Sequence, residues 1–167
     1  VLSHIAGIES LERLNLAYEG FGGINNLSWL GSLKNLREIS LSGRMNVVGI
    51  PHGLHRLERL NLADTLSLNE GGLDLSGLAD CNRLTELDLS EGEVSDFGFL
   101  REFDSLERLV LKGCKGLKTH EDLAQHSQLR ELDLSECENL EHLDGVTSLV
   151  QLRRLNLSSC HKLAEVQ

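Results

Sequence analysis

Leu129-Arg130-Glu131-Leu132-Asp133-Leu134-Ser135-Glu136-Cys137-Glu138-Asn139-Leu140 is the stretch whose spacing decides the fold. Leu132 and Leu134 stand two residues apart, so on an extended chain they share one face. Leu129, three residues earlier, joins them. A short strand with so few apolar contacts cannot hold itself together, so something else must cover those leucines. Working outward, the cover is more of the same. Leu-x-x-Leu-x-Leu begins at Leu11, Leu36 (with Ile39 in the second place), Leu57, Leu84, Leu106, Leu129 and Leu152, at intervals of 25, 21, 27, 22, 23 and 23 residues. We number each repeat from its first Leu as position one.

The apolar pattern also runs upstream. Ile5-x-x-Ile8, Leu30-x-x-Leu33, Leu100-x-x-Phe103 and Val146-x-x-Leu149 lie six and three residues before their repeats. Stacked repeats share one core, which no single repeat can bury. Strands met once per repeat must then be parallel. The return segments are too short for long helices. Variation in repeat length belongs to them, notably in Gly20-Phe21-Gly22-Gly23 and Asn69-Glu70-Gly71-Gly72. Recurrence explains the composition: 37 Leu among 167 residues, against one Pro, one Met, one Trp and one Tyr.

These residues resemble the leucine-rich repeat family over essentially the whole chain. The resemblance implies an α/β fold, a leucine-rich repeat solenoid with a parallel concave sheet and an irregular or short-helix convex side. Residues 1–167 are expected to form one leucine-rich repeat domain of about seven repeats. Residues 1–10 look like the back half of an earlier repeat, and Cys160-His161-Lys162-Leu163 begins a return path. A section of a longer chain is therefore expected.

Cys114, Cys137 and Cys160 are one repeat apart, each in position nine, with Leu117, Leu140 and Leu163 three residues on. Free Cys is among the most buried residue types, so these are expected as structural rungs bonded to the neighbouring coil. Adjacent rungs lie near one strand spacing, which leaves an oxidised pair open. Repeats five to seven resemble the cysteine-containing class of F-box substrate adaptors. Leu129 to Leu140 also resembles repeats of plant intracellular immune receptors and trypanosomatid leucine-rich repeat proteins. Position nine of the first four repeats holds Glu19, Arg44, Thr65 and Gly92. Burying Glu19 or Arg44 would be costly, so the loop there must differ. Thiols used as rungs suit a reducing compartment, and an intracellular protein is expected.

Position three reads Arg13, Glu38, Arg59, Glu86, Arg108, Glu131, Arg154, an unbroken alternation of sign. Position two, Glu12, Arg37, Glu58, Thr85, Glu107, Arg130, Arg153, is nearly complementary. Parallel strands set equivalent residues side by side, so position three is expected as a structural ladder. Positions five, seven and eight are expected to face the concavity. There Asp64, Asp88, Glu91, Asp133 and Glu136 form an acidic band without a partner ladder, interrupted by Lys112 and bordered by Val110 and Tyr18. These eight residues are the candidate partner-binding set. Phe21 and Trp29 are expected to pack locally, and Phe97, Phe99 and Phe103 to fill the convex core.

A net charge of −10, with 26 acidic and 16 basic residues, opposes binding to a phosphate backbone, and no nucleic acid is expected. No apolar run approaches the roughly 18 residues of a membrane helix. No metal, cofactor or catalytic set is expected, since neither matched Cys-x-x-Cys nor phosphate-loop spacing occurs. Asn26-Leu27-Ser28 and Asn156-Leu157-Ser158 match the glycosylation sequon, a motif common by chance. The function expected is a non-catalytic protein–protein interaction module whose concave face meets a protein partner, one with a basic surface. The alternatives are a substrate-recognition domain of a ubiquitin-ligase adaptor or other multidomain enzyme, and an extracellular recognition domain.

Overall fold

A computed structural model describes residues 2–16, 26–44, 46–67, 72–94, 96–117 and 123–163. Within them lie β1 (Arg13–Asn15), β2 (Glu38–Ser40), β3 (Asn46–Val47), β4 (Arg59–Asn61), β5 (Leu66–Ser67), β6 (Glu86–Asp88), β7 (Arg108–Val110), β8 (Glu131–Asp133) and β9 (Arg154–Asn156). Seven of these form one sheet in the order β1-β2-β4-β6-β7-β8-β9, so each repeat contributes one strand. All neighbours are parallel, and the register aligns Leu14, Ile39, Leu60, Leu87, Leu109, Leu132 and Leu155. Every strand of this sheet spans positions three to five, because the inward side chain at position four is the one that the neighbouring coils cover.

The return path follows from the number three. Leu27, Leu30, Leu33 and Leu36 are each three apart, and the backbone bonds Leu30 N to Leu27 O (2.9 Å), Leu33 N to Leu30 O (2.9 Å) and Leu36 N to Leu33 O (3.1 Å). A 3₁₀ turn has three residues per turn, so side chains at that spacing eclipse and point one way. The turns Ser28–Ser32, Ser76–Asp80, Gly98–Glu102 and Val146–Ser148 are all of this type. Asn26, Asp74 and Asp96 each open one, accepting from the N–H two residues on at 2.8, 2.9 and 2.8 Å. The inward residues of sheet and turns, Leu30, Leu33, Leu62, Leu78, Leu89, Leu100, Leu111 and Leu134 among them, are fully buried. Each such side chain contributes about 1.5–3 kcal/mol.

Two positions on this path differ from the upstream pattern read in the sequence. Cys81 and His126 occupy the place held elsewhere by Leu33, Leu54, Phe103 and Leu149, and both are buried. His126 is tolerated because its Nδ1 lies 3.0 Å from the carbonyl oxygen of Phe103 in the preceding coil. The small parallel pair of β3 and β5 was also not expected. Its two-residue strands are too short to show a period, yet Val47 at its centre is fully buried. At Leu155, on β9, 40% of the surface is exposed.

On the solvent face the register pairs Arg13–Glu38–Arg59–Glu86–Arg108–Glu131–Arg154 side by side. Arg59 bonds to Glu38 and lies 3.8 Å from Glu86. Glu131 lies between Arg108 (3.3 Å) and Arg154 (2.6 Å). Position two forms a second ladder, Arg37–Glu58 at 2.8 Å and Glu107–Arg130 at 3.0 Å. Thr85 interrupts it, and donates its hydroxyl to the Glu58 carbonyl at 3.1 Å instead. These pairs are half exposed, so each is worth a few tenths of a kcal/mol. Their larger effect is to penalise a slipped register, which would bring like charges together.

Two outcomes are expected. A Cβ built on Gly77 would lie 1.9 Å from the carbonyl oxygen of Ile50 in the preceding coil. Gly77→Ala should lower stability by about 2–4 kcal/mol through overpacking, whereas Gly7→Ala, with nothing within 4 Å of the new methyl, should be neutral. Urea midpoints of the two variants decide this. Arg108→Glu sets three acids in a row and should cost about 1 kcal/mol, less at high salt. An unchanged melting temperature at low ionic strength would remove the register role.

Candidate functional site

The concave site begins with the residue after each strand's inward position-four side chain. At position five an Asx side chain folds back on the chain. Asn61 Oδ1 accepts from Ala63 N (2.9 Å), Asp88 Oδ1 from Ser90 N (2.9 Å), Asp133 Oδ1 from Ser135 N (2.9 Å) and Asn156 Oδ1 from Ser158 N (3.1 Å). The hydroxyls of Ser90, Ser135 and Ser158 bond to the same oxygens. These Asx turns pull the chain out of the sheet. The Asn156-Leu157-Ser158 match to a sequon is thus one more such turn.

Position eight then takes a left-handed conformation: Gly43 (φ 93°), Asp64 (58°), Glu91 (56°), Gly113 (67°), Glu136 (59°) and Ser159 (61°). This corrects the expectation that position eight faces the concavity. The strands end at position five, and a left-handed residue three places later lies in the turn at the sheet's C-terminal margin. Glu91 and Glu136 line a separate cleft of about 250 Å³ there, with Gly113, Lys115, Glu138, Ser159 and His161. The concave surface holds other grooves, one of about 410 Å³ over β1, β2, β4, β6 and β7 and one of about 400 Å³ over β7, β8 and β9. Gly113 takes its positive φ at no steric cost, and the flexible Glu91 carboxylate rests 2.5 Å from where a Cβ would stand.

The acidic band is also not without partners. Asp88 and Asp133 anchor their Asx turns, and Asp133 Oδ2 accepts from Asn156 Nδ2 at 3.0 Å. Glu136 pairs with Lys112 at 3.2 Å, and Asp64 with Arg44 at 3.9 Å. The bond to Glu136, with its charge, raises the Lys112 ammonium above its ordinary value. Burial pushes the Asp133 carboxyl up, but bonds from Ser135 and Asn156 and the charge of Lys112 outweigh it, and the group lies below the ordinary carboxylate value. Val110, between Asp88 and Asp133 in the register, is buried and presents little surface to a partner. Tyr18, like Glu19 and Phe21, lies outside the described residues.

The thiols are rungs. Cys114 Sγ donates to Leu89 O at 3.3 Å, Cys137 Sγ to Leu111 O at 3.1 Å and Cys160 Sγ to Leu134 O at 3.0 Å. Each target is the position-six carbonyl one coil back. All three are unoxidised, as is Cys81. Burial pushes Cys81 and Cys114 up to about 12 and Cys137 to about 11, which disfavours the thiolate that oxidation requires. Arg44 is exposed and starts no rung, while Thr65 is buried and bonds within its own coil, to Leu62 O at 2.6 Å. Among the described residues no group of three His, Cys, Asp or Glu could hold a metal ion, and no helix is long and apolar enough to cross a membrane.

One outcome concerns acid. A carboxyl held below its unfolded value contributes stability above that value and loses it as pH falls through the lowered one. Asp133 should therefore stabilise the fold at neutral pH and begin to lose that contribution below about pH 4, where unfolded-chain carboxylates protonate. Asp133→Asn keeps the accepting oxygen that Asn61 and Asn156 use at the same place. Its stability at pH 7 should stay within about 1 kcal/mol of the parent, and its stability should fall less between pH 5 and pH 3. Parallel acid-unfolding curves of the two proteins would contradict the assignment.

Comparison with known proteins gives a family match and a fold. Residues 79–160 match the family of R13L1/DRL21 leucine-rich repeats. No curated protein matches the chain. The leucine-rich repeat domain of the type III effector XCV3220 (XopL) is similar over 97% of this chain and 57% of its own, at 25% identity and a TM-score of 0.80. An internalin (inlF) from Listeria monocytogenes is similar over 98% of this chain and 49% of its own, at 20% identity and a TM-score of 0.71. A chain of the mouse RP105/MD-1 complex is similar over 92% of this chain and 27% of its own, at 22% identity and a TM-score of 0.68. The chain thus spans between about a quarter and rather more than half of these proteins. Such domains generally serve recognition rather than catalysis. The match over residues 79–160, the seven-stranded parallel sheet and the leucine spine agree on the fold: this chain is a leucine-rich repeat solenoid.

Proposed function

We propose that this is a non-catalytic recognition module that holds a protein partner against its concave sheet. The observation that carries the reading is the contrast between the two sides of the strands. One side is a closed leucine core. The other is a polar surface whose grooves of about 410 and 400 Å³ run across several strands. Open grooves of this kind suit an extended or convex partner better than an enclosed small molecule. A solenoid's concave surface is the usual place for such contact.

A basic partner surface fits the acidic margin formed by Asp64, Glu91 and Glu136 with Asp88 and Asp133 beside it. Long-range attraction of the −10 chain speeds the approach of a basic partner. The buried, unoxidised rungs Cys114 and Cys137 suit a reducing, intracellular setting.

A photo-cross-linking side chain at Asn61, inside the concave groove, should link to a captured partner, and one at the exposed convex residue Gln125 should not. The combined change Asp88→Asn, Glu91→Gln, Asp133→Asn and Glu136→Gln preserves the Asx acceptors and should weaken capture by roughly tenfold or more if the partner is basic. Equal cross-linking from both sides would reject the concave site, and undiminished capture would reject the acidic margin.

A further inference from the structure

Along positions two and three of repeats one to four, every neighbour is opposite in sign or neutral. The residue just before position one breaks that rule in the middle of the solenoid. It reads Asn35, Arg56, Arg83 and Ser105 in repeats two to five, which sets Arg56 beside Arg83 on adjacent coils. Equivalent side chains at this place do meet. Arg56 Nη1 donates to Asn35 Oδ1 at 2.9 Å, and Gln151 Nε2 to Gln128 Oε1 at 3.3 Å. Asn35 is itself fixed, since its Nδ2 donates to the Glu9 carbonyl at 2.7 Å. Arg56 and Arg83 are exposed, and like charges on neighbouring coils repel.

Lys34, also exposed, adds a third cation. Its Nζ reaches the next coil, 2.6 Å from where a Cβ on Gly53 would stand. Among the described residues Lys34, Arg56 and Arg83 enter no ion pair. The acids of the same coils are engaged elsewhere. Glu58 is taken by Arg37 at 2.8 Å. Asp80 Oδ2 accepts from Gly53 N at 2.8 Å and lies 3.2 Å from His52 Nδ1. At Lys34's own place in the repeat, Glu9 and Asp104 stand in repeats one and five and bound the cations on both sides. In a chain of net charge −10, three coils thus carry an uncompensated basic strip. It lies where the chain enters the strands, whereas Glu91 and Glu136 lie where the chain leaves them.

We propose that this strip is a second docking surface, for an extended acidic segment of a protein partner, with one carboxylate on Arg56 and Arg83 and another toward Lys34. Two strand spacings, roughly 10 Å, separate the coils of Lys34 and Arg83. An extended segment presents side chains on one side about every 7 Å, so acids on alternate residues reach all three cations. A guanidinium matches a carboxylate bidentately, and Asn35 holds that of Arg56 in place. A nucleic acid fits less well: three cations neutralise few phosphates, and the field of the whole chain repels a long polyanion. This surface does not depend on the concave-face reading.

The probe is an N-acetylated, C-amidated hexapeptide of alternating Glu and Val, titrated at low salt into the ¹⁵N-labelled chain. Inorganic phosphate and a single-stranded RNA hexamer are titrated in parallel. The acidic peptide should shift the amide signals of Lys34, Arg56 and Arg83 and saturate. Arg56→Gln combined with Arg83→Gln should weaken it roughly tenfold or more. Arg101→Gln, which removes a charge from a convex turn, should leave it unchanged. Arg83→Gln alone should hold or raise the melting temperature at low salt, because it removes a repulsion; a fall would mark Arg83 as part of the fold and overturn the proposal. Undiminished binding by the double variant would overturn it too, as would an equal loss with Arg101→Gln, or tighter binding of phosphate or RNA at the same signals. Self-association of the chain that the double variant abolishes would make a second copy the occupant and reject the separate partner. Loss of the Asn61 cross-link would remove the concave site and leave this titration standing.

Discussion

One coil of this protein cannot bury its own leucines. A three-residue strand and a 3₁₀ turn bring four or five apolar side chains to one side of a flat loop, and only another such loop above and below excludes water from them. Backbone ordering costs about 1–2 kcal/mol per residue, and a lone coil of some two dozen residues has no comparable burial to set against it. Cooperation between neighbours follows from that imbalance. Stacking in turn fixes the direction of the strands, the spacing of the turns and the identity of the residues that fit between coils. Gly77 shows how tight the fit is, since even a methyl group there meets the carbonyl of the coil before.

Three further kinds of ladder ride on the leucine spine. The Arg–Glu ladders at positions two and three act on register more than on stability, because half-exposed pairs are individually weak. The Asx–Ser turns at positions five and seven end the strands, and the thiols of Cys114, Cys137 and Cys160 satisfy carbonyls left over where the chain turns. Much of what appears on the concave surface is therefore already engaged in holding the coil. The proposed contact with a partner therefore falls mainly on the margin, around Glu91 and Glu136.

The legible part of this molecule is the part that repeats. Position four could be read from the spacing of leucines, and the charge register from the alternation of Arg13 through Arg154, because each repeat reports the same contact again. The 3₁₀ geometry was present too, in apolar residues three apart, though only four repeats display it in plain Leu, Ile, Val and Phe. Cys81 and His126 hid two of the others, and Pro51 the third. A histidine does not announce that a carbonyl 3.0 Å away will make its burial acceptable. The Asx–Ser pairs were visible at Asp88, Asp133 and Asn156, and the two glycines at position eight, Gly43 and Gly113, pointed to a left-handed residue. Their meaning depended on knowing that the strand stops at position five.

By itself, then, the order of residues determined that the chain stacks, how many coils it has, which side of each strand is apolar and which charges neighbour one another. These are consequences of period, and period is a property of sequence. The tertiary structure alone decided which polar groups are free. Asp133 and Glu136 read as equivalent acids along the chain, yet one is tied into its own turn and the other into a salt bridge with Lys112. Val110 read as an exposed contact and is covered by its neighbours. Whether a side chain is available depends on what the adjacent coil places within a few ångströms of it, and that distance is set by packing between repeats rather than by spacing within one.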